Sequence, residues 1–394
     1  MIGCTKLLCG TATVSEVMRA DAETRQGRPD LLQFSSDLRP LVVWNTTNRC
    51  NLRCEHCYLD AEDREYSNEL STEEAKRFIR DLGEMRVPVL LFSGGEPLLR
   101  RDLLELAEEA ARCRIRTVLS TNGTLITRER AKALKAAGFQ YVGVSLDGGP
   151  VMHDRFRAVE GAFARALEGI KNALQEGLKT GVRFTLTRQN QEELPLILDL
   201  IEKEGIPRFC MYHLVYSGRG RNLENLDVDR EEKRRIIEDL FARTEDLHRR
   251  GIEVEILTTD NHADGVFLLG RIEKEQPQRS AEVRKLLEMH GGCSAGTKFA
   301  NVDPQGNVHP CQFWQHYTLG NVREKPFSEI WLKSNDPLLR ALRNKGEHLK
   351  GRCGECVYNA YCGGCRVRAE AVSGDMWAED PACYLTEDEI KGRL

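Results

Sequence analysis

Short apolar runs alternate with amphipathic helical patterns between residues 41 and 214. The apolar runs predict six strands, at Leu41–Thr46, Val87–Phe92, Arg116–Ser120, Tyr141–Leu146, Gly181–Leu186 and Arg208–Leu214. They are rich in Val, Leu, Ile, Phe and Tyr, which is typical of strands covered on both faces. The stretches between them predict helices, at Ser71–Met85, Asp102–Cys113, Thr127–Ala137, Phe163–Glu176 and Glu192–Glu204. The first helix begins with a capping box, because Ser71 precedes Glu74 by three positions.

Six strands that alternate with helices indicate an α/β fold with a parallel sheet and right-handed crossovers. We therefore expect an open or partial (β/α)6 barrel. Beyond it, the sequence predicts a charged, exposed helix over Asp229–Arg250 and a strand near Glu253–Leu257. A smaller, loop-rich C-terminal domain is expected where cysteines and glycines accumulate. The predicted boundaries give an N-terminal segment at 1–40, the barrel at 41–275 and the C-terminal domain at 276–394.

The composition of the chain excludes several function classes. Hydrophobic content of 41% and charged content of 30% are ordinary for a soluble globular protein. The formal net charge of −4 provides no basic stripe for a nucleic-acid backbone, so we expect no nucleic-acid partner. No apolar run approaches the ~18 residues that a membrane span needs, and no signal peptide follows Met1. We therefore expect a cytoplasmic protein with no membrane partner.

Polar and glycine-rich segments follow the first four predicted strands. Ligands bind at the carboxyl ends of the strands in parallel α/β folds, so we expect these segments to meet at one rim. The segments are the cysteine run that begins at Cys50, then Gly94-Gly95-Glu96, Thr121-Asn122-Gly123 and Ser145-Leu146-Asp147-Gly148. Asn-Gly and Asp-Gly are also ordinary turn sequences, so plain turn chemistry remains the alternative for Asn122 and Asp147.

Three cysteines lie at 50–57 and seven at 293–383, out of 14 in the chain. Without a signal peptide, such grouping indicates metal binding more than disulfides. Cys50, Cys54 and Cys57 have the spacing C-x3-C-x2-C, which can hold three irons of a [4Fe–4S] cube and leave the fourth open. A zinc site completed by His56 is the alternative. The cysteines outside both groups are interpreted as small buried hydrophobic residues: Cys4, Cys9, Cys113 and Cys210.

The three-cysteine spacing followed by Gly94-Gly95-Glu96 resembles the radical S-adenosylmethionine (SAM) superfamily. The resemblance implies that SAM chelates the open iron through its amino and carboxylate groups. An electron from the cube then cleaves the sulfonium and releases a 5′-deoxyadenosyl radical, which abstracts hydrogen from the substrate. The resemblance also implies a low-potential electron donor, flavodoxin or ferredoxin-like. Glycines, which have no Cβ, would let the backbone approach the methionine amino group of SAM closely.

The same resemblance implies a set of residues that contact SAM at the rim. Ser145 and Asp147 would contact the ribose, and Thr187 and Arg157 are candidates for the nucleoside and the carboxylate. A surface charge is the alternative for Arg157. The full set of predicted cofactor-binding residues is Tyr58, Gly94, Gly95, Glu96, Asn122, Ser145, Asp147, Arg157 and Thr187.

The second cysteine group resembles the seven-cysteine SPASM extension, a module for auxiliary clusters. By resemblance, one [4Fe–4S] cluster would be held by Cys353, Cys356, Cys362 and Cys383. A second cluster, with its fourth iron open or ligated from elsewhere, would be held by Cys293, Cys311 and Cys365. The pair Cys362 and Cys365 has the spacing x2, whereas x3 is usual. One auxiliary cluster instead of two, or a pair of zinc knuckles, are the alternatives.

The sixth predicted strand leaves the rim through a segment with proton donors and arginines. Its predicted catalytic residues are Tyr212, His213, Arg219 and Arg221. His213 is the predicted proton donor or orienting residue, and the arginines offer bidentate clamps for carboxylates. Arg188 and Arg208 could extend this wall for anions. A solvated basic loop is the alternative.

This segment and the opening residues Met1–Gly10 resemble the siroheme-modifying branch of the superfamily. The resemblance is greatest to enzymes that remove the two acetate side chains of 12,18-didecarboxysiroheme to give iron-coproporphyrin III, which implies a tetrapyrrole substrate. Haem d1 synthesis and coproporphyrin decarboxylation are alternatives within the branch. A peptide maturase would carry a winged helix before the barrel, and the 40 residues before Leu41 show no clear β-ribbon pattern. A non-catalytic iron–sulfur carrier would leave Gly94-Gly95-Glu96 without a role.

Overall fold

The computed structural model describes residues 1–11 and 39–393 of the chain. Most of the predicted N-terminal segment at 1–40 therefore lies outside the described residues. Within them, eleven strands form one sheet: β1 Ile2–Gly3, β2 Leu41–Asn45, β3 Val89–Ser93, β4 Arg116–Thr121, β5 Phe139–Ser145, β6 Thr180–Leu186, β7 Arg208–His213, β8 Glu255–Thr259, β9 Phe299–Val302, β10 Asn307–His309 and β11 Gly320–Asn321.

The sheet is open and has the order β1-β8-β7-β6-β5-β4-β3-β2-β9-β10-β11. Neighbours from β2 to β8 are parallel, as the alternation of strands and helices predicts. All six predicted strands are present to within two residues of their predicted ends, and β8 adds a seventh parallel strand. The expected α/β partial barrel with a smaller C-terminal domain is confirmed.

The helices connect and cover the strands. They are α1 Cys4–Cys9, α2 Thr72–Glu84, α3 Leu103–Arg112, α4 Arg128–Ala136, α5 Pro150–Arg157, α6 Ala162–Gln175, α7 Leu194–Lys203, α8 Arg230–Arg249, α9 Ala263–Glu275, α10 Ser280–His290, α11 Phe327–Leu332, α12 Pro337–Arg343, α13 Gly351–Glu355, α14 Arg366–Ser373 and α15 Glu387–Ile390. The capping box is present, since Ser71 Oγ accepts from Glu74 N and Glu74 Oε2 accepts from Ser71 N. No helix among the described residues is long and apolar enough to cross a membrane.

Two features differ from the sequence-based expectations. Helix α8 was expected to be exposed, but Ile237, Leu240 and Phe241 on one of its stripes are buried in the main core. The sheet also continues across the predicted boundary at 275/276, because β9 pairs in parallel with β2. A helix can be charged overall and still bury a narrow apolar stripe, which explains the first difference.

The two faces of the sheet carry different residues, which decides where side chains of the site can lie. Strand side chains alternate between faces. On β5, Val142 and Val144 belong to the apolar core under the helices. The intervening positions Tyr141, Gly143 and Ser145 point to the opposite face. We call this opposite face the inner face, and it also carries Ser120, Arg183 and Tyr212 from β4, β6 and β7.

Candidate active site

The three cysteines Cys50, Cys54 and Cys57 lie in the loop after β2. Cys50 and Cys54 are buried. The Cys50 Sγ atom accepts a hydrogen bond from Leu52 N at 3.4 Å, and the Cys54 Sγ atom accepts one from Arg157 Nη1 at 3.3 Å. Burial raises the pKa of Cys50, and the nearby Cys54 thiol raises it further. Burial also raises the pKa of Cys54. The thiolates of Cys50 and Cys54 are therefore costly in this site unless a cationic group such as an iron–sulfur cluster offsets their charge.

Gly94 and Gly95 pack directly against the start of this cysteine loop. A Cβ on Gly94, whose φ is +138°, would lie 2.5 Å from Thr47 O, and a Cβ on Gly95 would lie 2.3 Å from Arg49 O. The close approach is held by two hydrogen bonds, from Gly95 N to Thr47 O and from Glu96 N to Arg49 O, both 2.7 Å long. The glycines therefore leave room for the backbone that precedes Cys50. The predicted close approach of these glycines to the amino group of SAM stays a prediction.

Glu96 connects the ends of β3 and β4. Its side chain is fully buried, and Oε1 accepts hydrogen bonds from Leu98 N at 3.0 Å and Thr121 Oγ1 at 2.8 Å. Its Oε2 atom accepts from Asn122 N at 2.8 Å. Burial raises the pKa of Glu96 to about 7, against the lowering effect of these donors. Both carboxylate oxygens are thus bound inside the protein.

Asn122 joins the third rim segment to the cysteine loop. Its Nδ2 atom donates to Asn51 Oδ1 at 2.9 Å, and its Oδ1 atom accepts from Thr124 N at 2.9 Å. The same Nδ2 atom lies 3.9 Å from Cys50 Sγ. Asn122 therefore stabilises a local turn and also lies beside the cysteine loop.

Asp147 and Arg157 form a buried ion pair beside Cys54. Arg157 Nη2 donates to Asp147 Oδ2, and Asp147 Oδ1 accepts from Thr185 N at 2.7 Å. Asp147 is fully buried and Arg157 is 7% exposed. Burial would lower the pKa of Arg157, but Asp147 and the Cys54 thiol raise it above its usual value. The surface-charge alternative for Arg157 is therefore wrong.

Three other predicted SAM contacts differ in burial and in hydrogen-bond partners: Ser145, Thr187 and Tyr58. Ser145 is partly exposed at the end of β5 on the inner face. Thr187 is fully buried and donates through Oγ1 to Asn190 Oδ1 at 2.9 Å. Tyr58 donates through its hydroxyl to Asn45 Oδ1 at 2.9 Å. Their predicted contacts with SAM stay predictions; Ser145 and Tyr58 are partly exposed, whereas Thr187 is fully buried.

A comparison with protein families decides between the alternatives left by these residues. Residues 44–201 match the radical SAM superfamily, a range that contains the cysteine loop, the glycine pair and the Asp147–Arg157 pair. The chain belongs to the radical SAM superfamily. Residues 293–357 match the SPASM iron–sulfur cluster-binding domain. A [4Fe–4S] cluster and SAM are therefore cofactors of this chain, and auxiliary clusters belong to the C-terminal domain. That Cys50, Cys54 and Cys57 ligate the SAM-binding cluster stays a prediction.

Curated relatives place the radical SAM chain among enzymes of haem synthesis. It is 51% identical to Fe-coproporphyrin III synthase of Methanosarcina barkeri, with 99% of each chain covered. It is 45% identical to pre-heme d1 synthase of Dinoroseobacter shibae, over 89% of this chain and 87% of that one. It is 35% identical to AdoMet-dependent heme synthase of Nitratidesulfovibrio vulgaris, over 90% and 95%.

Solved structures support the fold of the radical SAM chain. SuiB of Streptococcus suis bound to the precursor peptide SuiA has a TM-score of 0.71 at 22% identity, with 92% of this chain and 80% of that chain covered. The anSMEcpe structure with bound AdoMet and Cp18Cys peptide has a TM-score of 0.67 at 19% identity, with 90% and 96% covered. At these identities the similarity concerns the fold alone.

The C-terminal thiols fall into the two sets that the SPASM resemblance implies. Burial raises the pKa of Cys311, and the nearby Cys293 and Cys365 thiols raise it further. Burial likewise raises the pKa of Cys362, with Cys383 and Cys353 adding to it. Burial also raises the pKa of Cys356, the remaining member of the set with Cys353, Cys362 and Cys383, and the nearby Cys353 thiol raises it further. Two auxiliary clusters fit this grouping, and the ligand assignment stays a prediction.

The predicted substrate residues of the radical SAM enzyme separate in space. Tyr212 lies on the inner face of β7, but His213 is the next residue and points to the helix side. There His213 Nε2 lies 2.9 Å from Asp264 Oδ2, and the Tyr384 hydroxyl donates to Asp264 Oδ1 at 2.7 Å. His213 is 2% exposed. The alternation of the strand therefore argues against His213 as the proton donor in the barrel.

Arg219 supports the cysteine loop. Its Nε atom donates to Cys54 O at 2.8 Å, and Nη1 and Nη2 both donate to Ala61 O at 3.1 Å. Its backbone N–H donates to Cys57 O at 2.9 Å. These contacts argue against the predicted carboxylate clamp, because they engage the guanidinium within the protein. They indicate instead that Arg219 positions the cysteine loop. Arg221 is exposed, so its predicted clamp remains a prediction.

The two other arginines proposed for an anion-binding wall have acidic partners. Arg208 lies 3.3 Å from Glu255, and Arg188 lies 3.8 Å from Asp229. Sequence reasoning missed Arg183, which lies on the inner face of β6. The strand pattern could have identified it, because Arg183 is a charged residue between Val182 and Phe184, which both belong to the core.

Proposed function

We propose that this radical SAM enzyme removes the two acetate side chains of 12,18-didecarboxysiroheme and forms iron-coproporphyrin III. The observation that carries the proposal is the 51% identity with Fe-coproporphyrin III synthase over 99% of both chains. Pre-heme d1 synthase, at 45% identity, is also a haem-synthesis enzyme by name. These relatives favour a tetrapyrrole over a peptide substrate.

The residues of the site support radical chemistry on a bound tetrapyrrole. When bound, the [4Fe–4S] cluster and SAM supply the 5′-deoxyadenosyl radical that the superfamily uses. Cys50, Cys54 and Cys57 would hold the cluster, and Arg157 would stabilise the Cys54 sulfur by its charge. Tyr212 offers a hydroxyl on the inner face, where the substrate would lie. The protein's part is to orient the substrate and to exclude water.

A reconstitution experiment tests the proposal. The anaerobically reconstituted enzyme is incubated with 12,18-didecarboxysiroheme, SAM and dithionite, and the products are analysed by mass spectrometry. We expect loss of both acetate groups and formation of iron-coproporphyrin III. The Cys54→Ala variant is the control and should produce neither 5′-deoxyadenosine nor the porphyrin. Slow SAM cleavage with an unchanged tetrapyrrole would contradict the proposed substrate.

The physiological reductant and the location belong to the same proposal. Reductive cleavage of SAM needs a low-potential electron, so we propose a flavodoxin or ferredoxin-like donor in the cytoplasm. Replacing dithionite with reduced flavodoxin or ferredoxin in the same assay tests this partner. If dithionite supports turnover but neither reduced flavodoxin nor reduced ferredoxin does, the proposed donor is contradicted.

A further inference from the structure

Arg183 is a charged residue in the middle of the inner face. It lies on β6, where its Cα is the register partner of Ser145 on β5 and of Cys210 on β7. Its side chain is partly exposed, whereas its neighbours Val182 and Phe184 are fully buried under the helices. Arg183 therefore lies on the inner face of the sheet, beside the strand end that carries Ser145.

The contacts of Arg183 orient its guanidinium without neutralising it. Arg183 Nη1 donates to Ser120 Oγ, and the guanidinium carbon lies 6.0 Å from the centre of the Tyr212 ring. Among residues 1–11 and 39–393, no carboxylate oxygen lies within ion-pair distance of this guanidinium. By contrast, Arg208 on the adjacent strand is paired with Glu255 at 3.3 Å.

Two glycines make room for this arrangement. A Cβ on Gly143 would lie 2.3 Å from Arg183 Nε, so the arginine side chain lies flat across β5 only because position 143 is glycine. A Cβ on Gly181 would lie 2.2 Å from the Tyr141 hydroxyl. The adjacent glycines are register partners, and both are on the inner face. The chain thus holds the Arg183 side chain against β5 on the inner face.

A partly buried cation without a counter-ion is costly unless an anion binds to it. The planar guanidinium fork matches a carboxylate, and its orientation by Ser120 and Tyr212 reduces the entropy lost on binding. Carboxylates occur on both ligands expected here, SAM and the tetrapyrrole. We propose that Arg183 binds a side-chain carboxylate of the tetrapyrrole and thereby fixes the orientation of the ring. This inference rests on the proposed function.

The experiment measures whether carboxylate recognition depends on Arg183. The anaerobic holoenzyme and its Arg183→Met variant are titrated with iron-coproporphyrin III and with its tetramethyl ester, and binding is followed by the Soret band. We expect the variant to bind the tetracarboxylate about 10- to 100-fold more weakly, the range for a charged hydrogen bond. The ester should bind to both proteins within about twofold, because it has no charge for Arg183 to recognise. Arg208→Met is the matched control, whose guanidinium already has Glu255, and it should keep the preference for the tetracarboxylate.

Each other outcome overturns the inference in a distinct way. Equal weakening for acid and ester would mean that Arg183 supports the cavity and recognises no carboxylate. Weaker binding of SAM to Arg183→Met, measured separately by equilibrium dialysis, with unchanged porphyrin binding would assign the arginine to SAM. Unchanged binding of every ligand would show that Arg183 binds neither. If the wild-type enzyme binds neither porphyrin, the proposed function fails together with the inference.

Discussion

Replacing Gly95 with alanine tests whether the glycine pair acts by leaving space for the cysteine loop. The new Cβ would lie 2.3 Å from Arg49 O and 2.7 Å from Arg49 C, whereas ordinary contacts begin at 3.4 Å. The backbone before Cys50 must therefore shift by about 1 Å, since the opposing atoms are main-chain atoms that cannot rotate away. Overpacking costs about 1–3 kcal/mol. Weakening the hydrogen bonds from Gly95 N and Glu96 N adds about 1 kcal/mol each.

The consequence is measured as iron content and SAM cleavage after anaerobic reconstitution. We expect Gly95→Ala to lose about four irons, one cube, and to cleave SAM about a hundredfold more slowly, because a displacement near 1 Å has that effect on a reacting geometry. Gly346→Ala is the matched control, since a Cβ there meets nothing within 4 Å and its φ is not positive. Full iron content and a rate within twofold of wild type in Gly95→Ala would refute the steric reasoning.

Three further predictions concern buried titratable side chains. Asp147→Asn leaves Arg157 in a buried site without its counter-ion, and should lower stability by about 3–5 kcal/mol, seen as a lower thermal midpoint; an unchanged midpoint would contradict the buried pair. Glu96 has a pKa raised to about 7, so its stabilising protonated form is fully present below pH 4.5 and is lost as the pH rises through 7. The stability of wild type relative to Glu96→Gln should therefore fall between about pH 4.5 and pH 7 in thermal scans and level off at higher pH, and a constant difference across this range would contradict this. His213→Ala should lower the thermal midpoint because it removes a buried partner of Asp264; a large loss of turnover with an unchanged midpoint and a shifted pH profile would restore His213 as a proton donor.

The pattern of apolar runs predicts the fold well because it reports burial directly. Strands β2 to β7 consist mostly of buried residues, so their sequences stand out from the amphipathic helices between them. The cysteine spacing and Gly94-Gly95-Glu96 likewise indicate the site, since both lie within the range that matches the radical SAM superfamily. The continuation of the sheet through β9 was not predictable in this way. Phe299–Val302 is a short segment, and its pairing with β2 depends on tertiary contacts.

The roles of individual side chains were harder to predict than their positions. His213 and Arg219 have the chemistry of a proton donor and of an anion clamp, and both lie near the end of β7. The structure gives them partners within the protein, Asp264 for one and the Cys54 and Ala61 carbonyls for the other. Composition near a strand end does not reveal which face a residue occupies. Strand alternation does, and it separates His213 from Tyr212 and identifies Arg183.

One buried carboxylate, that of Asp147, connects the cysteine loop and strand β6 through hydrogen bonds. Asp147 binds Arg157, which contacts the Cys54 sulfur, and it also binds Thr185 N on β6. Thr185 is two residues from Arg183 and lies on the same face of the same strand. Asp147 therefore links the cysteine loop to the strand that carries the proposed carboxylate site. Because a radical must reach one chosen carbon, a network shared by both sites suits the fixed orientation that the reaction requires.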